Sequence, residues 1–159
     1  LGAGIAALEL GAYTDAEDAL AEANILNNQN PQIWGYLALL CLQSTAPRVE
    51  EADQSLNQAV RLGLGDPSLL ERIGASYATL GCYSQAESTL KRSTALSENG
   101  ATRKLLGDVM AAQNKLEEAL QVYETVCDAD GNTDAIRKEA AMGKAAMLEA
   151  LGSGSKKAW

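Results

Sequence analysis

Apolar and small residues recur along the chain with the three- and four-residue spacing of amphipathic helices, interrupted by short polar or glycine-containing turns. Residues 66–100 show the pattern most completely. Gly74 and Ala86 are small residues at places where two antiparallel helices could cross, and Tyr77 and Leu90 would fill the space beside them. A glycine inside a helix costs about 1 kcal/mol relative to alanine, so Gly74 needs a packing reason. The pattern predicts a pair of closely packed helices.

The same pattern repeats along the chain at a nearly constant period. Gly107 follows Gly74 by 33 residues, and one alanine of the pattern recurs at successive intervals of 36, 34 and 33 residues, at Ala16, Ala52, Ala86 and Ala119. Self-similarity at this period is the signature of a solenoid built from stacked helical hairpins.

The recurring residues resemble the tetratricopeptide repeat (TPR), whose pattern is W-x2-L-G-x2-Y followed by A-x3-F. In residues 66–100 the matching residues are Leu70, Ile73, Gly74, Tyr77, Ala86 and Leu90. Trp34 supplies the tryptophan of the preceding repeat, whereas Arg103 stands at that place in the next one. The resemblance implies an all-α fold: a TPR superhelical solenoid of about four antiparallel helix pairs, closed by a C-terminal capping helix.

The repeat register divides the chain into a TPR domain over residues 1–151 and a flexible tail over residues 152–159. The repeats cover about residues 1–30, 31–65, 66–99 and 100–131, and the capping helix covers residues 133–151. Because the chain begins with Leu1 rather than methionine, we expect it to be a piece of a longer protein.

Polar residues mark the predicted helix starts. Asn30 and Asp66 each precede a proline, which is the arrangement of a side-chain cap followed by the first helical residue. Thr14 and Ser84 each open the capping-box pattern that ends in glutamate three residues later. Asn114 is the predicted cap of a further helix.

Composition excludes several classes of partner. The net charge of −8 and the pI near 4.5 argue against nucleic acid, which attracts basic surfaces. No apolar run approaches the ~20 residues of a membrane span. The three cysteines are far apart and form no C-x-x-C pattern, so neither a disulfide framework nor a zinc site is expected. Free cysteines predict an intracellular compartment.

The residues for enzymatic chemistry are also lacking. The chain contains no histidine, which removes Ser-His-Asp and Cys-His nucleophile systems and H-E-x-x-H metal sites. The GSGSK sequence near the C-terminus lacks the Gly-Lys-Ser/Thr of a phosphate loop. We therefore expect no enzyme, no cofactor and no metal. The alternative of an enzyme would require a reactive thiol at Cys41, Cys82 or Cys127.

The TPR resemblance implies that protein partners bind in a concave groove lined by the first helix of each repeat. On this register the groove residues are Gln32, Tyr36, Leu39, Gln43, Arg72, Lys104 and Asp108. An alternative interpretation is that Leu39 and Leu42 pack against neighbouring repeats and do not line the groove. The two-carboxylate clamp of chaperone-tail-binding TPR domains has only Arg72 as a match, so binding of a chaperone C-terminal tail is not expected.

A more specific resemblance begins at residues 23–28, ANILNN, and continues through residues 30–42, NPQIWGYLALLCL. This stretch is similar to the C-terminal TPR region of the cilia- and flagella-associated protein 70 family. The resemblance implies a binding module of the ciliary or flagellar axoneme that is associated with the outer dynein arm. The alternative is a self-associating module of a cytoplasmic TPR adaptor. In that case the helix predicted at residues 1–10 pairs with the exposed end of another copy.

Overall fold

The computed structural model describes residues 1–157, with side chains through residue 154, and every regular element in that part of the chain is an α-helix. The elements are α1 (Gly2–Glu9), α2 (Tyr13–Leu26), α3 (Pro31–Gln43), α4 (Val49–Arg61), α5 (Pro67–Thr79), α6 (Tyr83–Leu96), α7 (Gly100–Ala112), α8 (Leu116–Asp128) and α9 (Asp134–Lys157). The prediction of an all-α fold is confirmed.

The chain forms two compact units, and the division between them falls within the sequence of α5. The first unit covers Leu1–Ser76, and in it α1 packs on α2, α2 on α3, and α3 on α4. The second unit begins at Tyr77, and in it α6 packs on α7, α7 on α8, and α9 on both α7 and α8. Within each unit these helices pack on their neighbours in the sequence, as in a solenoid.

Small residues allow the close helix packing that the repeat pattern predicts. The recurring alanines are wholly buried, at Ala16, Ala52, Ala86 and Ala119. A Cβ atom at Gly107 would lie 2.8 Å from Cε1 of Tyr123, and one at Gly4 would lie 2.7 Å from Cγ of Leu20. Both distances are shorter than side-chain packing permits, so only glycine lets these helix pairs approach so closely.

The turns between paired helices are built from backbone hydrogen bonds. Gly11, Gly81 and Asn114 have positive φ angles of 73°, 76° and 61°. The next amide in each turn donates to a carbonyl five residues earlier, from Ala12 to Ala7, from Cys82 to Tyr77 and from Lys115 to Met110, each at 2.9 Å. This is the Schellman ending of a helix, and the next helix follows immediately.

Because of this turn, the helix caps predicted at Thr14, Ser84 and Asn114 are wrong. Helices α2, α6 and α8 each start two residues after the left-handed residue, and none has a side-chain cap. Thr14 and Ser84 therefore lie inside their helices, and Asn114 ends the helix before it rather than capping the one after. The predicted caps at Asn30 and Asp66 are confirmed, because their side chains accept hydrogen bonds from the amides of Gln32 at 2.9 Å and Leu69 at 3.1 Å.

The last helix is longer than predicted. Helix α9 extends to Lys157, past the expected end at residue 151, so the tail predicted over residues 152–159 is helical through Lys157. Residues 158–159 lie outside the described part of the chain. Adding a turn to an existing helix costs far less than starting one, which lets the glycine- and serine-containing segment continue the helix.

Candidate functional site

The groove residues predicted on α3 form one stripe along that helix. Gln32, Tyr36, Leu39 and Gln43 are spaced by four, three and four residues, which places them on one side of the helix. The helix carries no charged residue. Its recognition chemistry therefore consists of two amides, one phenol and apolar surface.

Amide side chains of the stripe join α3 to α5. The Nε2 atom of Gln43 donates to Oγ of Ser76 at 3.4 Å, and the Ser76 hydroxyl donates to the Arg72 carbonyl at 2.9 Å. At the other end of α3, Nε2 of Gln32 donates to Oδ2 of Asp66 at 3.3 Å. The Oε1 atom of Gln32 is buried, so Gln32 serves the contact between the helices rather than the surface.

An ion pair joins α5 to α1. Nη2 of Arg72 lies 2.6 Å from Oε1 of Glu9, and the two side chains are 35% and 53% exposed. Arg72 is therefore accessible to a partner, but it already has a carboxylate in place. The sequence alone does not indicate Glu9, since α1 precedes the complete repeats and offers no motif that would place its last residue beside Arg72.

Leu39 is wholly buried and Leu42 is 3% exposed. A residue with no accessible surface cannot contact a partner, so the prediction that Leu39 lines a binding groove is wrong, and the packing alternative holds for both leucines. Tyr36 and Gln43 remain half-buried beside them. We define the first-helix face as Glu9, Tyr36, Gln43 and Arg72.

The predicted groove residues of the second unit are bound to one another. Nζ of Lys104 lies 2.7 Å from Oδ2 of Asp108 and 3.8 Å from Oε2 of Glu139. The hydroxyl of Tyr123 donates to Oδ1 of Asp108 at 2.5 Å. Burial, together with this hydrogen bond and the nearby negative charge, raises the pKa of Tyr123 well above its ordinary value. Lys104 and Asp108 thus connect α7 with α8 and α9.

A second polar cluster surrounds Glu87, whose side chain is 8% exposed. Nζ of Lys91 lies 2.7 Å from Oε1, while Nζ of Lys115 and Nε2 of Gln113 lie 2.8 Å and 2.7 Å from Oε2. Burial alone would raise the pKa of Glu87, but the three hydrogen bonds outweigh burial and lower it to about 2. The sequence pattern predicts Glu87 as part of a capping box and carries no signal for this cluster, because Gln113 and Lys115 lie 26 and 28 residues away.

The described residues contain no group of three metal-ligating side chains close enough to hold an ion. None of the helices described combines the length and the apolar character needed to cross a membrane. Cys41, Cys82 and Cys127 are free thiols, and burial raises the pKa of Cys41, only partly opposed by Arg48. The site on the first-helix face can form hydrogen bonds, an ion pair and aromatic contacts.

A family model described as the cilia and flagella-associated protein 70 C-terminal domain matches residues 1–147. The chain belongs to this family. Two relatives named cilia- and flagella-associated protein 70, from Macaca fascicularis and Homo sapiens, are each 47% identical to the chain over 81 residues, which is 51% of the chain. The aligned stretch spans 8% and 7% of those two proteins, so this domain corresponds to a small part of its relatives.

Solved structures share the fold of this domain. MamA superimposes with a TM-score of 0.66 at 18% identity, covering 96% of each chain. TTC0263, a thermophilic TPR protein of Thermus thermophilus, superimposes with a TM-score of 0.63 at 21% identity, covering 88% of this chain and 77% of TTC0263. PilF of Pseudomonas aeruginosa superimposes with a TM-score of 0.68 at 19% identity, covering 94% of this chain and 66% of PilF. These likenesses confirm the TPR solenoid fold.

Proposed function

We propose that this domain is a protein-interaction scaffold that binds a segment of a partner protein on the first-helix face. The observation that carries the proposal is the placement of half-exposed Tyr36, Gln43 and Arg72 on adjoining first helices of one compact unit. The neighbouring leucines are packed in the interior, so the polar and aromatic groups alone remain for recognition.

The residue types suit protein recognition. Tyrosine and arginine are enriched among the residues that dominate binding energy in protein interfaces. Arg72 is partly ordered before a partner arrives, by its ion pair with Glu9, which reduces the entropy lost on binding. Gln43 presents an amide that can bond to a peptide backbone. We infer a partner segment that offers a carboxylate to Arg72 in exchange for Glu9.

The family supports a location for this activity. Both curated relatives are named as proteins associated with cilia and flagella. We propose that the domain acts in the ciliary or flagellar axoneme, where it contacts a component of the outer dynein arm or the doublet. Lys104 and Asp108 have partners within their own unit, so we assign them a smaller part in this contact.

A pull-down from axonemal extract tests the proposal. The 159-residue chain should recover a dynein-arm or doublet component, and Arg72→Glu should reduce recovery by about ten-fold because glutamate would repel both Glu9 and the partner's carboxylate. Arg92→Glu is the matched control, since Arg92 is an exposed arginine on α6. Equal recovery by the two variants would contradict the role of the first-helix face, and recovery of no axonemal component would contradict the ciliary role.

A further inference from the structure

The outer side of α9 carries a regular line of exposed residues. They alternate at spacings of three and four along the helix, and all six are exposed: Ala135, Lys138, Met142, Ala145, Glu149 and Gly152. We call this line the α9 seam. A spacing that alternates between three and four residues keeps one narrow stripe in line, as on helices that pair in coiled coils.

The opposite side of α9 packs within the second unit. Ala140 is wholly buried, and a Cβ atom at Gly143 would lie 2.6 Å from Cζ of Tyr123 on α8. The counterparts of Met142 in the other repeats are covered, with Ile73 0% and Leu106 5% exposed, whereas Met142 is 67% exposed. The seam is therefore a helix face that has no covering helix among the described residues.

We propose that a second copy of this chain covers the α9 seam, through antiparallel pairing of the two α9 helices about a two-fold axis. An axis between residues 143 and 144 places Lys138 opposite Glu149 of the other copy, and Met142 opposite Ala145. It also places Ala135 opposite Gly152. Each large side chain thus meets a small one, and each charged side chain meets an opposite charge.

The charges select this arrangement over the alternatives. Neither Lys138 nor Glu149 has an ion-pair partner within 4 Å in the part of the chain that the structure describes. Parallel pairing in register would place Lys138 opposite Lys138 of the other copy and Glu149 opposite Glu149, and both contacts join like charges, which is unfavourable. The adjacent charged residues already have partners, because Glu139 lies near Lys104 and Lys144 lies 3.7 Å from Glu124.

The small residues determine how close the helices can come. Ala135, Ala145 and Gly152 leave room for the backbones to approach, and Met142 adapts its flexible side chain to the space that remains. An isologous two-fold contact uses the same patch on both copies, so the whole seam is buried at once. The seam does not include any residue of the first-helix face, and the inference stands or falls separately from the proposed function.

Sedimentation of charge-reversal variants at several protein concentrations tests the pairing. The unmodified chain should associate to a dimer, and Lys138→Glu or Glu149→Lys alone should weaken association about ten-fold or more, because each creates two like-charge contacts per dimer. An equimolar mixture of the two variants should restore the dimer, because the acidic residues at positions 138 and 149 of one variant then face the basic residues at positions 149 and 138 of the other. Arg92→Glu is the control and should leave association unchanged.

Several results would overturn the proposal. A chain that stays monomeric at every concentration excludes it, as does a dimer that survives each single reversal, which would indicate another surface or a different covering partner. Failure of the mixture to restore association would exclude the antiparallel register.

A second test mixes Met142→Cys with Ala145→Cys under mild oxidation. The inter-copy disulfide should form faster in the mixture than in either variant alone, and equal rates would contradict the register.

Discussion

Glu87 is a buried carboxylate whose charge is stabilised by hydrogen bonds. Its carboxylate has lost most of its contact with water, and three hydrogen-bond donors from α6 and the turn between α7 and α8 replace that contact. A buried carboxylate without such donors would carry a raised pKa, whereas this one has its pKa lowered from 4.5 to about 2. The folded state therefore favours the charged form.

This shift predicts acid sensitivity. A depressed pKa contributes stability that is complete above the ordinary value of 4.5 and is lost as the pH falls toward 2, by up to about 3 kcal/mol. Glu87→Gln should lower stability at pH 7 and flatten the loss of stability between pH 4.5 and 2. Chemical denaturation at several pH values measures both effects. Glu117→Gln, a glutamate on α8 outside this cluster, is the control and should change neither.

The burial of Cys41 predicts that its thiol reacts more slowly than those of Cys82 and Cys127. It is 5% exposed, and burial raises its pKa, so both access and thiolate formation are limited. Cys82 and Cys127 are half-buried. We expect Cys41 to be alkylated more slowly than the other two in the native protein and at the same rate in urea, measured by mass spectrometry. Fast native labelling of Cys41 would contradict its placement.

At the scale of elements, the turns explain what sequence could and could not predict. Asn30 and Asp66 were predictable because a capping residue before proline has few other uses. Thr14 and Ser84 carry the same kind of signal, yet the left-handed residue of the preceding turn already fixes where the next helix starts. The tertiary register of the hairpin overrides the local capping preference.

The packing of α7, α8 and α9 depends on two glycines that contact one tyrosine. Gly143→Ala would place a Cβ atom 2.6 Å from the Tyr123 ring, which also packs closely on Gly107 and donates a hydrogen bond to Asp108, and should destabilise the second unit by about 1–3 kcal/mol. Gly154→Ala also lies in α9 but in open space, and should be neutral or stabilising by less than about 1 kcal/mol. Thermal unfolding measures both, and equal effects would contradict the packing account.

The candidate site shows the same division between local pattern and tertiary partner. The spacing of Gln32, Tyr36, Leu39 and Gln43 correctly predicts one helix side, because helical periodicity is a local property. Whether a residue on that side is open or covered depends on the elements opposite it, so the burial of Leu39 and the pairing of Arg72 with Glu9 were beyond local prediction.

At the scale of the whole molecule, we propose two surfaces for partners. The first-helix face belongs to the first unit and the α9 seam to the second, and they differ in chemistry. The first-helix face offers an aromatic ring, an amide and an arginine paired with a glutamate, and the α9 seam offers small residues, one methionine and one charge of each sign. A protein with these two surfaces could bind an axonemal partner and a second copy of itself by independent contacts.

The proposed partner contact is tested most directly by placing a photoactivatable amino acid at Tyr36 and irradiating the chain bound to isolated axonemes. We predict that mass spectrometry will find crosslinks to a segment of a dynein-arm or doublet protein, and that Arg72→Glu will remove them. The control carries the same amino acid at Arg92. Identical crosslinks from the two positions, or crosslinks from position 36 that persist with Arg72→Glu, would contradict partner binding at the first-helix face.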